Sequence, residues 1–576
     1  MKNIKGFILL IAAITLLSPM FSWGQNVQVP VNEKKKRYYE NEQLGDKYLP
    51  NAYNNKKTSP AYKFTKTGSS KLSSSLIFTT QVNVNANGQN ILGDAANEPN
   101  IAINPSDPDN IVIGWRQFDN VTSNFRQAGW SYTLDAGQTW TFPGEIEQGV
   151  FRSDPVLDFD TVGNFYYNSL TVDSLGNYVC KVFKSNTSAA TWDSGTDAGG
   201  GDKQWMAVDR TSGEGSGNIY SFWTSLYSSC KPGFFTRSTD EGNSFENCTA
   251  VNDSSYWGTM AVGNAGELYI AGSGYSYGLL VEKSVNAKIP GSLINWEPPV
   301  LVDLDGFTSY GIHINPSGLI GQVNIDVDRS NGPGSGNVYL LASLTRLSNS
   351  DSSDVMFAKS TDGGITWGLP IRVNDDTSEN NIQWFGTLSV APNGRIDAVW
   401  LDTRDDQSGG DSSALYYSYS TDQGTTWSVN EKLSDAFNPH MGYPNQTKMG
   451  DYFDMVSDNI GAHLAWTNTL NGEEDVYYSH IIPNIFVGIN DVSNNGIFSV
   501  FPNPTSGTFV IKNETKQSLP IATGIEIYNI LGEKVYSVTS FKTTTEINMS
   551  SQKAGIYFLK IINRDGSSVV KKLIRE

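Results

Sequence analysis

A short signature, Ser/Thr-x-Asp-x-Gly-x-Thr/Ser-Trp/Phe, returns along the middle of this chain and sets the size of the units it can fold into. It reads Thr133-Leu-Asp135-Ala-Gly137-Gln-Thr139-Trp140, Ser238-Thr-Asp240-Glu-Gly242-Asn-Ser244-Phe245, Ser360-Thr-Asp362-Gly-Gly364-Ile-Thr366-Trp367 and Ser420-Thr-Asp422-Gln-Gly424-Thr-Thr426-Trp427. A decayed copy, Ser185-Asn-Thr187-Ser-Ala189-Ala-Thr191-Trp192, keeps the ends and lacks the Asp and the Gly. An Asp in this position accepts hydrogen bonds from turn amides, the Gly supplies a positive φ, and the aromatic packs beneath the reversal. The signature is a staple for a strand hairpin before it is anything chemical.

The staples recur at 52, 53, 122 and 60 residues from Asp135 through Thr187, Asp240 and Asp362 to Asp422, the long interval holding two units. A period of about 50 to 60 residues with several short strands per unit marks propeller blades. A second pattern, an apolar run, a Gly or Asn turn and an aromatic-rich strand, begins near Glu98, Ser153, Asp202, Tyr256, Gly321, Ile382 and Gly450. Seven copies predict an all-β, seven-bladed propeller over 75–484. The last copy is one strand short, and LIFTTQVNVN from Leu76 is the expected donor that closes the ring and hides two sheet edges.

Composition fits a turn-rich β protein, with 55 Gly, 12% aromatic and 17% charged residues. A net charge of -18 without a basic stripe argues against nucleic acid as a partner. Residues 1–24 carry Lys2 and Lys5, the apolar FILLIAAITLL and small residues at Ser22 and Gly24, the pattern of a secretory signal peptide. No transmembrane segment is expected elsewhere. Residues 25–74 read as a polar leader, in which Lys34-Lys-Lys-Arg37 is a solvated run. Of three cysteines, Cys230 and Cys248 flank the third staple, where a disulfide is as open as its absence, and Cys180 is expected as a buried thiol. No Cys pair or His cluster has zinc spacing.

After Ile485 the repeat stops. FSVFPNPTSGTFVI, GIEIYNILGEKVYSV and GIYFLKIINRDGSSVVKKLI suggest a small C-terminal β-sandwich of immunoglobulin-like type over 490–576. Phe501-Pro502-Asn503-Pro504 with Gly507, Tyr528-Asn-Ile-Leu-Gly532, Ala554-Gly555-Ile-Tyr557 and Lys571-Lys572-Leu573 resemble the C-terminal sorting domain of the type IX secretion system. That resemblance implies partnership with the secretion machinery, passage across the outer membrane, and attachment to the cell surface or release.

The central repeats resemble the sialidase-like superfamily, whose blades carry the same Asp-box staples. The resemblance implies a funnel where three arginines hold a carboxylate, a Tyr attacks and an Asp serves as acid/base, because guanidinium forks suit a planar carboxylate and a neutral phenol meets an anionic sugar with less repulsion. Positions near inner strands that match are Arg116, Arg152 and Arg404, with Arg210 and Arg329 poorer because they fall in later turns. Asp154 or Asp202, each at the entry to an inner strand, is the candidate acid/base, Tyr452 beside Asp451 is the phenol, and Glu98 or Glu267 is its partner. Arg116 stands in GWRQF, where the family has Arg-Ile-Pro. Asp202, Lys203, Trp205, Trp257 and Trp384 are candidates for substrate contact, and the tryptophans equally for core packing.

Three function classes follow: an exported hydrolase of exo-sialidase type acting on a glycan or glycoprotein, a non-catalytic glycan- or protein-binding propeller, and a polysaccharide lyase. The lyase would need His313 or His440 near a Tyr and a cation. No cofactor is required, and the acidic run Asp402 to Asp411 is a place for structural calcium or simply a solvated turn.

Overall fold

The computed structural model describes residues 46–48, 56–66, 75–274, 278–406, 408–484, 498–513, 522–529, 534–539, 544–563 and 568–576. The expected signal peptide and most of the leader lie outside these residues. The chain divides into two compact units, Met1–Pro483 and Asn484–Glu576.

The first unit is a series of small antiparallel sheets, most of them meanders in chain order. Their first strands are Ala95–Ile103, Ser153–Phe159, Trp205–Val208, Met260–Val262, Asn324–Val327, Gln383–Val390 and Asp454–Ser457, which number sheets one to seven here. Each first strand packs on that of the next sheet, and the strand of sheet seven packs on that of sheet one. Sheet seven also takes in the N-terminal strand Leu76–Gln81, antiparallel to Asp475–Ile482 with Leu76 opposite Ile482 and Gln81 opposite Tyr477. Sheet three has three strands, Trp205–Val208, Ile219–Phe222 and Phe235–Ser238, and only an isolated bridge from Phe235 to Thr249 where a fourth would run.

The strands read as continuous apolar runs because they are covered on both faces. Ile111–Phe118 of sheet one is buried throughout, and Trp115, Trp400 and Trp466 lie fully buried on the second strands of sheets one, six and seven. Apolar clusters straddle neighbouring sheets, including Ile101, Ile113 and Trp115 of sheet one with Val476 and Tyr478 of sheet seven. The first strands also join sideways through side chains. Asn100 accepts from Leu157 N–H, Asp158 from Val208 N–H, Thr259 from Ile325 N–H, Asp326 from Val390 N–H and Ser389 from Ser457 N–H. Such bonds satisfy the outward amides of strands that have no ladder partner on that side.

The staples have one geometry. Asp135, Asp240, Asp362 and Asp422 each accept a backbone N–H four residues on at 2.9 Å, and the leading hydroxyl accepts the glycine N–H. In the decayed copy Thr187 Oγ1 takes the Asp role, accepting Thr191 N–H at 3.0 Å, and Ala189 holds the left-handed φ of 63°. Cys230 and Cys248 form a disulfide, and Cys180 is a buried free thiol.

The second unit packs two sheets face to face. One has Phe498–Phe501, Thr508–Asn513 and Thr544–Asn548, and the other has Lys534–Val538, Ala522–Asn529, Gly555–Asn563 and Ser568–Arg575. Phe509, Ile511 and Ile547 of the first meet Ile525, Leu559, Ile561 and Leu573 of the second in a buried core. Among the described residues no helix is long and apolar enough to cross a membrane.

Candidate functional site

In an antiparallel meander the segment leading into the first strand and the connection from second to third strand lie at one end, here the leading end. There the sequence repeats an unusual backbone feature. Glu98, Asp154, Lys203, Trp257 and Phe385, at matching places in sheets one, two, three, four and six, have φ between 48° and 57°. Left-handed geometry costs a residue with a side chain about 1–2 kcal/mol, so it persists only where packing over-determines it.

Three of these residues belong to one buried charge cluster. Lys203 Nζ lies 3.1 Å from Asp154 Oδ2, 2.8 Å from Asp451 Oδ2 and 3.7 Å from Glu98 Oε1. Lys448 Nζ lies 2.6 Å from Asp451 Oδ2 and 3.2 Å from Glu98 Oε1, and Arg116 Nε is 3.3 Å from Glu98 Oε2. Arg116 also donates to Asn97 Oδ1 at 2.8 Å and to Gln446 Oε1 at 3.0 Å. Burial pushes the Glu98 carboxyl up to about 8 against the pull of Arg116, Lys203 and Lys448. Burial also works against the Asp451 charge, yet Lys203, Lys448 and a hydrogen bond with Glu98 hold it well below the usual carboxylate range. Gly450 permits this approach, since at φ 94° a Cβ there would stand 2.7 Å from Glu98 Cγ.

The structure thus brings Arg116, Asp154, Lys203 and Tyr452 into one neighbourhood, with Asp202 and Trp205 at its edge. The three arginines each pair with a different acid, Arg116 with Glu98, Arg152 with Glu147 and Arg404 with Asp402. Arg152 pairs with Glu147 and lies over the Phe183 ring. Arg404 is held by Asp402, Asp375 and Asn430. Tyr452 is no primed nucleophile: its hydroxyl donates to the Pro155 carbonyl at 2.9 Å, and burial raises it well above the usual phenol range. Asp202 is buried beside Lys203, and its carbonyl accepts Thr224 N–H.

The three tryptophans are core side chains. Trp205 packs edge-on to Tyr452, Trp257 against Tyr256, and Trp384, fully buried, donates to Ser413 Oγ at 3.1 Å. The carboxylates of Asp402 to Asp411 are spent separately, Asp402 on Trp400 and Arg404, Asp405 on Lys432 and Tyr416, and Asp406 on Ser408. Among the described residues they form no cluster of three or more metal-ligating groups.

Exposed acid–base groups occur at the same leading end. Asp411, in the connection from the second to the third strand of sheet six, reaches both loop histidines: His313 Nδ1 lies 2.7 Å from Oδ1 and His440 Nε2 lies 2.6 Å from Oδ2. The Tyr443 hydroxyl is 3.2 Å from His440 Nδ1. The His313 side chain is 69% exposed, in contrast to the sealed cluster around Lys203. The spacing of His313, Asp411 and His440 in sequence gives no hint of this meeting, because it depends on loops from three sheets.

At the opposite, trailing end of the first strands a cavity of about 450 Å³ is lined by Leu157, Val208, Val262, Asp326, Ser389 and Asp454, among others, with contributions from all seven sheets. Arg210 and Arg329 stand at this end, paired with Asp158 and Asp326.

Residues 499–576 match the family model of the secretion system C-terminal sorting domain. The protein is exported to the cell surface or the extracellular space. No curated protein matches the chain. Among solved structures it is similar to a protein of unknown function from Dyadobacter fermentans, at 14% identity over 70% of this chain and 98% of that one, with a TM-score of 0.39. It is similar also to an ulvan lyase, at 11% identity over 68% and 95% with a TM-score of 0.40, and to a Hadza microbial sialidase, at 13% over 68% and 66% with a TM-score of 0.34. At these values the likenesses carry no weight for activity.

Proposed function

We propose that the seven sheets are blades of a β-propeller spanning 75–484, closed by Leu76–Gln81, and that this exported protein acts on anionic glycans through His313, Asp411, His440 and Tyr443. Domain limits of 1–24 for the signal, 25–74 for the leader and 490–576 for the sorting domain complete the reading. The observation that carries it is a chain of imidazole, carboxylate, imidazole and phenol whose two histidines reach solvent, His313 most of all, while Asp411 and Tyr443 are partly buried behind them.

The reaction class that suits this set is β-elimination from a uronate. A base removes the proton next to the carboxylate, an acid protonates the leaving glycosidic oxygen, and the carboxylate charge is met by a cation. His440 and Tyr443 supply the acid and base, Asp411 fixes the His440 ring, and the exposed His313 faces the carboxylate. An exo-sialidase using Arg116, Arg152, Arg404, Asp154 and Tyr452 draws less support, because Tyr452 and Asp154 are sealed. A pure binder that uses Trp205, Trp257 and Trp384 is disfavoured by the burial of those rings.

The test is incubation with a panel of uronate-containing polysaccharides and with a fluorogenic sialoside. Growth of the ultraviolet absorbance of unsaturated sugar ends is the expected result. Sialoside cleavage that disappears in Arg404→Ala would instead support the hydrolase, and retention without cleavage the binder.

A further inference from the structure

One loop of the chain is duplicated at the end away from His313, Asp411 and His440. Val208-Asp-Arg210-Thr-Ser-Gly-Glu-Gly-Ser-Gly-Asn218 in sheet three returns as Val327-Asp-Arg329-Ser-Asn-Gly-Pro-Gly-Ser-Gly-Asn337 in sheet five. Each copy joins a first strand to a second at the trailing end, and the two fold alike. Asp209 Oδ1 accepts Thr211 N–H at 2.8 Å and Asp328 Oδ1 accepts Ser330 N–H at 2.9 Å. The Asp209 and Asp328 N–H groups donate to the Asn218 and Asn337 carbonyls at 2.8 and 2.9 Å. Sheet four, between them, has only the short turn 263–267 at this end. The two long loops therefore flank a pocket of about 170 Å³ lined by Arg210, Thr211, Ser212, Asn264 and Arg329. It shares both arginines with the larger trailing cavity.

Each guanidinium is fixed on one side and open on the other. Arg210 gives Nη1 to Asp158 and lies over the Phe159 ring, 4.3 Å from its centroid. Arg329 gives Nε to the Val262 carbonyl at 2.8 Å and Nη1 to Asp326 Oδ1 at 2.9 Å. Arg210 Nε and Nη2 and Arg329 Nη2 have no hydrogen-bond partner among the described residues, and the two side chains are 30% and 32% exposed. Planar N–H forks of this kind match the oxygens of a carboxylate or a sulfate, and forks already held in place lose little freedom on binding. The acids nearby do not oppose an anion with an unmet charge. Asp158 and Asp326 are each met by an arginine, and burial raises Asp454, which also lines the larger cavity, to about 7.

We infer that Arg210 and Arg329 together bind an oxyanion, a carboxylate or a sulfate group, at the trailing end of sheets three to five. The anion is held between the two free guanidinium edges, and Thr211, Ser212 and Asn264 line the wall with hydroxyl and amide groups suited to the hydroxyls of a sugar that carries it. The site lies at the other end of the sheets from His313, Asp411 and His440, so it stands apart from the reading given to those groups.

The full chain is titrated calorimetrically with glucuronate, glucose 6-sulfate, inorganic sulfate and glucose. Saturable binding of one anion per chain, with none of glucose, is expected. Tighter binding of glucuronate or glucose 6-sulfate than of inorganic sulfate identifies an acidic sugar as the ligand, and equal binding identifies the free anion. Arg210→Lys and Arg329→Lys keep a charge for Asp158 and Asp326 and lose the fork. Each is expected to weaken binding by about tenfold or more while keeping the near-ultraviolet circular dichroism of the wild type, and His440→Ala binds as the wild type does. Three results overturn the assignment: no saturable binding of any of the three anions, unchanged affinity in both Arg210→Lys and Arg329→Lys, or affinity lost in His440→Ala instead.

Discussion

The Asp454 carboxylate of sheet seven accepts a hydrogen bond from Ile101 N–H of sheet one at 3.1 Å. It is the same kind of sideways bond that joins sheets one to two, two to three and four through seven, and here it links the last sheet to the first.

Burial raises Asp454 to about 7, with Asp158 and Asp326 adding to the effect. The folded value lies above that of the unfolded chain, about 3.9, so between the two the folded state holds a proton that the unfolded state has released. The contribution is full below about pH 4 and is lost as pH rises through 7. Asp454→Asn keeps an acceptor without the ionisation. Its urea midpoint relative to wild type is expected to improve from pH 5 to pH 7.5, and parallel curves for the two proteins would refute this.

Lys203 is the cation for both Asp154 and Asp451 in a site without solvent. Removing one member of a buried ion cluster leaves a charge uncompensated and costs about 3–5 kcal/mol. Lys203→Met is expected to lower unfolding stability by that amount in denaturant titration. A loss below about 1 kcal/mol, the range typical of an exposed pair, would contradict the geometry.

The decayed staple offers a gain. Thr187→Asp with Ala189→Gly restores the charged acceptor and relieves a left-handed alanine, for an expected stabilisation of about 1–2 kcal/mol. The same urea titration reads it, and a destabilised double variant would show that the Ala189 methyl matters more to packing than its φ does to strain.

The Cys230–Cys248 bridge spans 18 residues, and a loop near that size is worth about 3 kcal/mol by restricting the unfolded chain. A Cys230→Ser, Cys248→Ser double variant is expected to unfold at lower denaturant by an equivalent amount. Equal midpoints would show that the bridge constrains little.

His440→Ala is expected to slow formation of unsaturated product by about 10²–10⁴-fold, the usual contribution of a general acid or base. Steady-state rates on the best polysaccharide of the panel check it, and a rate within twofold of wild type would remove His440 from the chemistry.

The staples and the inner-strand pattern were readable in sequence because they are local: a turn needs its Asp, its Gly and its aromatic within eight residues. Asp154, Lys203 and Tyr452 were findable for the same reason, as each stands where an inner strand begins. Their roles were not, since the sequence does not say that Lys448 from a long loop would join Glu98 and Asp451 and seal the cluster. Asp411 was read as part of an acidic turn because its two histidine partners come from other sheets.

Sheet three is where the hydrogen-bonded lattice is thinnest, and the bond between Cys230 and Cys248 ties down the segment that stands in for its missing strand. Such a bond does not survive in a reducing cytoplasm and forms once a chain has left it. The protein therefore acquires this covalent restraint only after it leaves the cytoplasm, and the copy made there is a softer object than the copy that works.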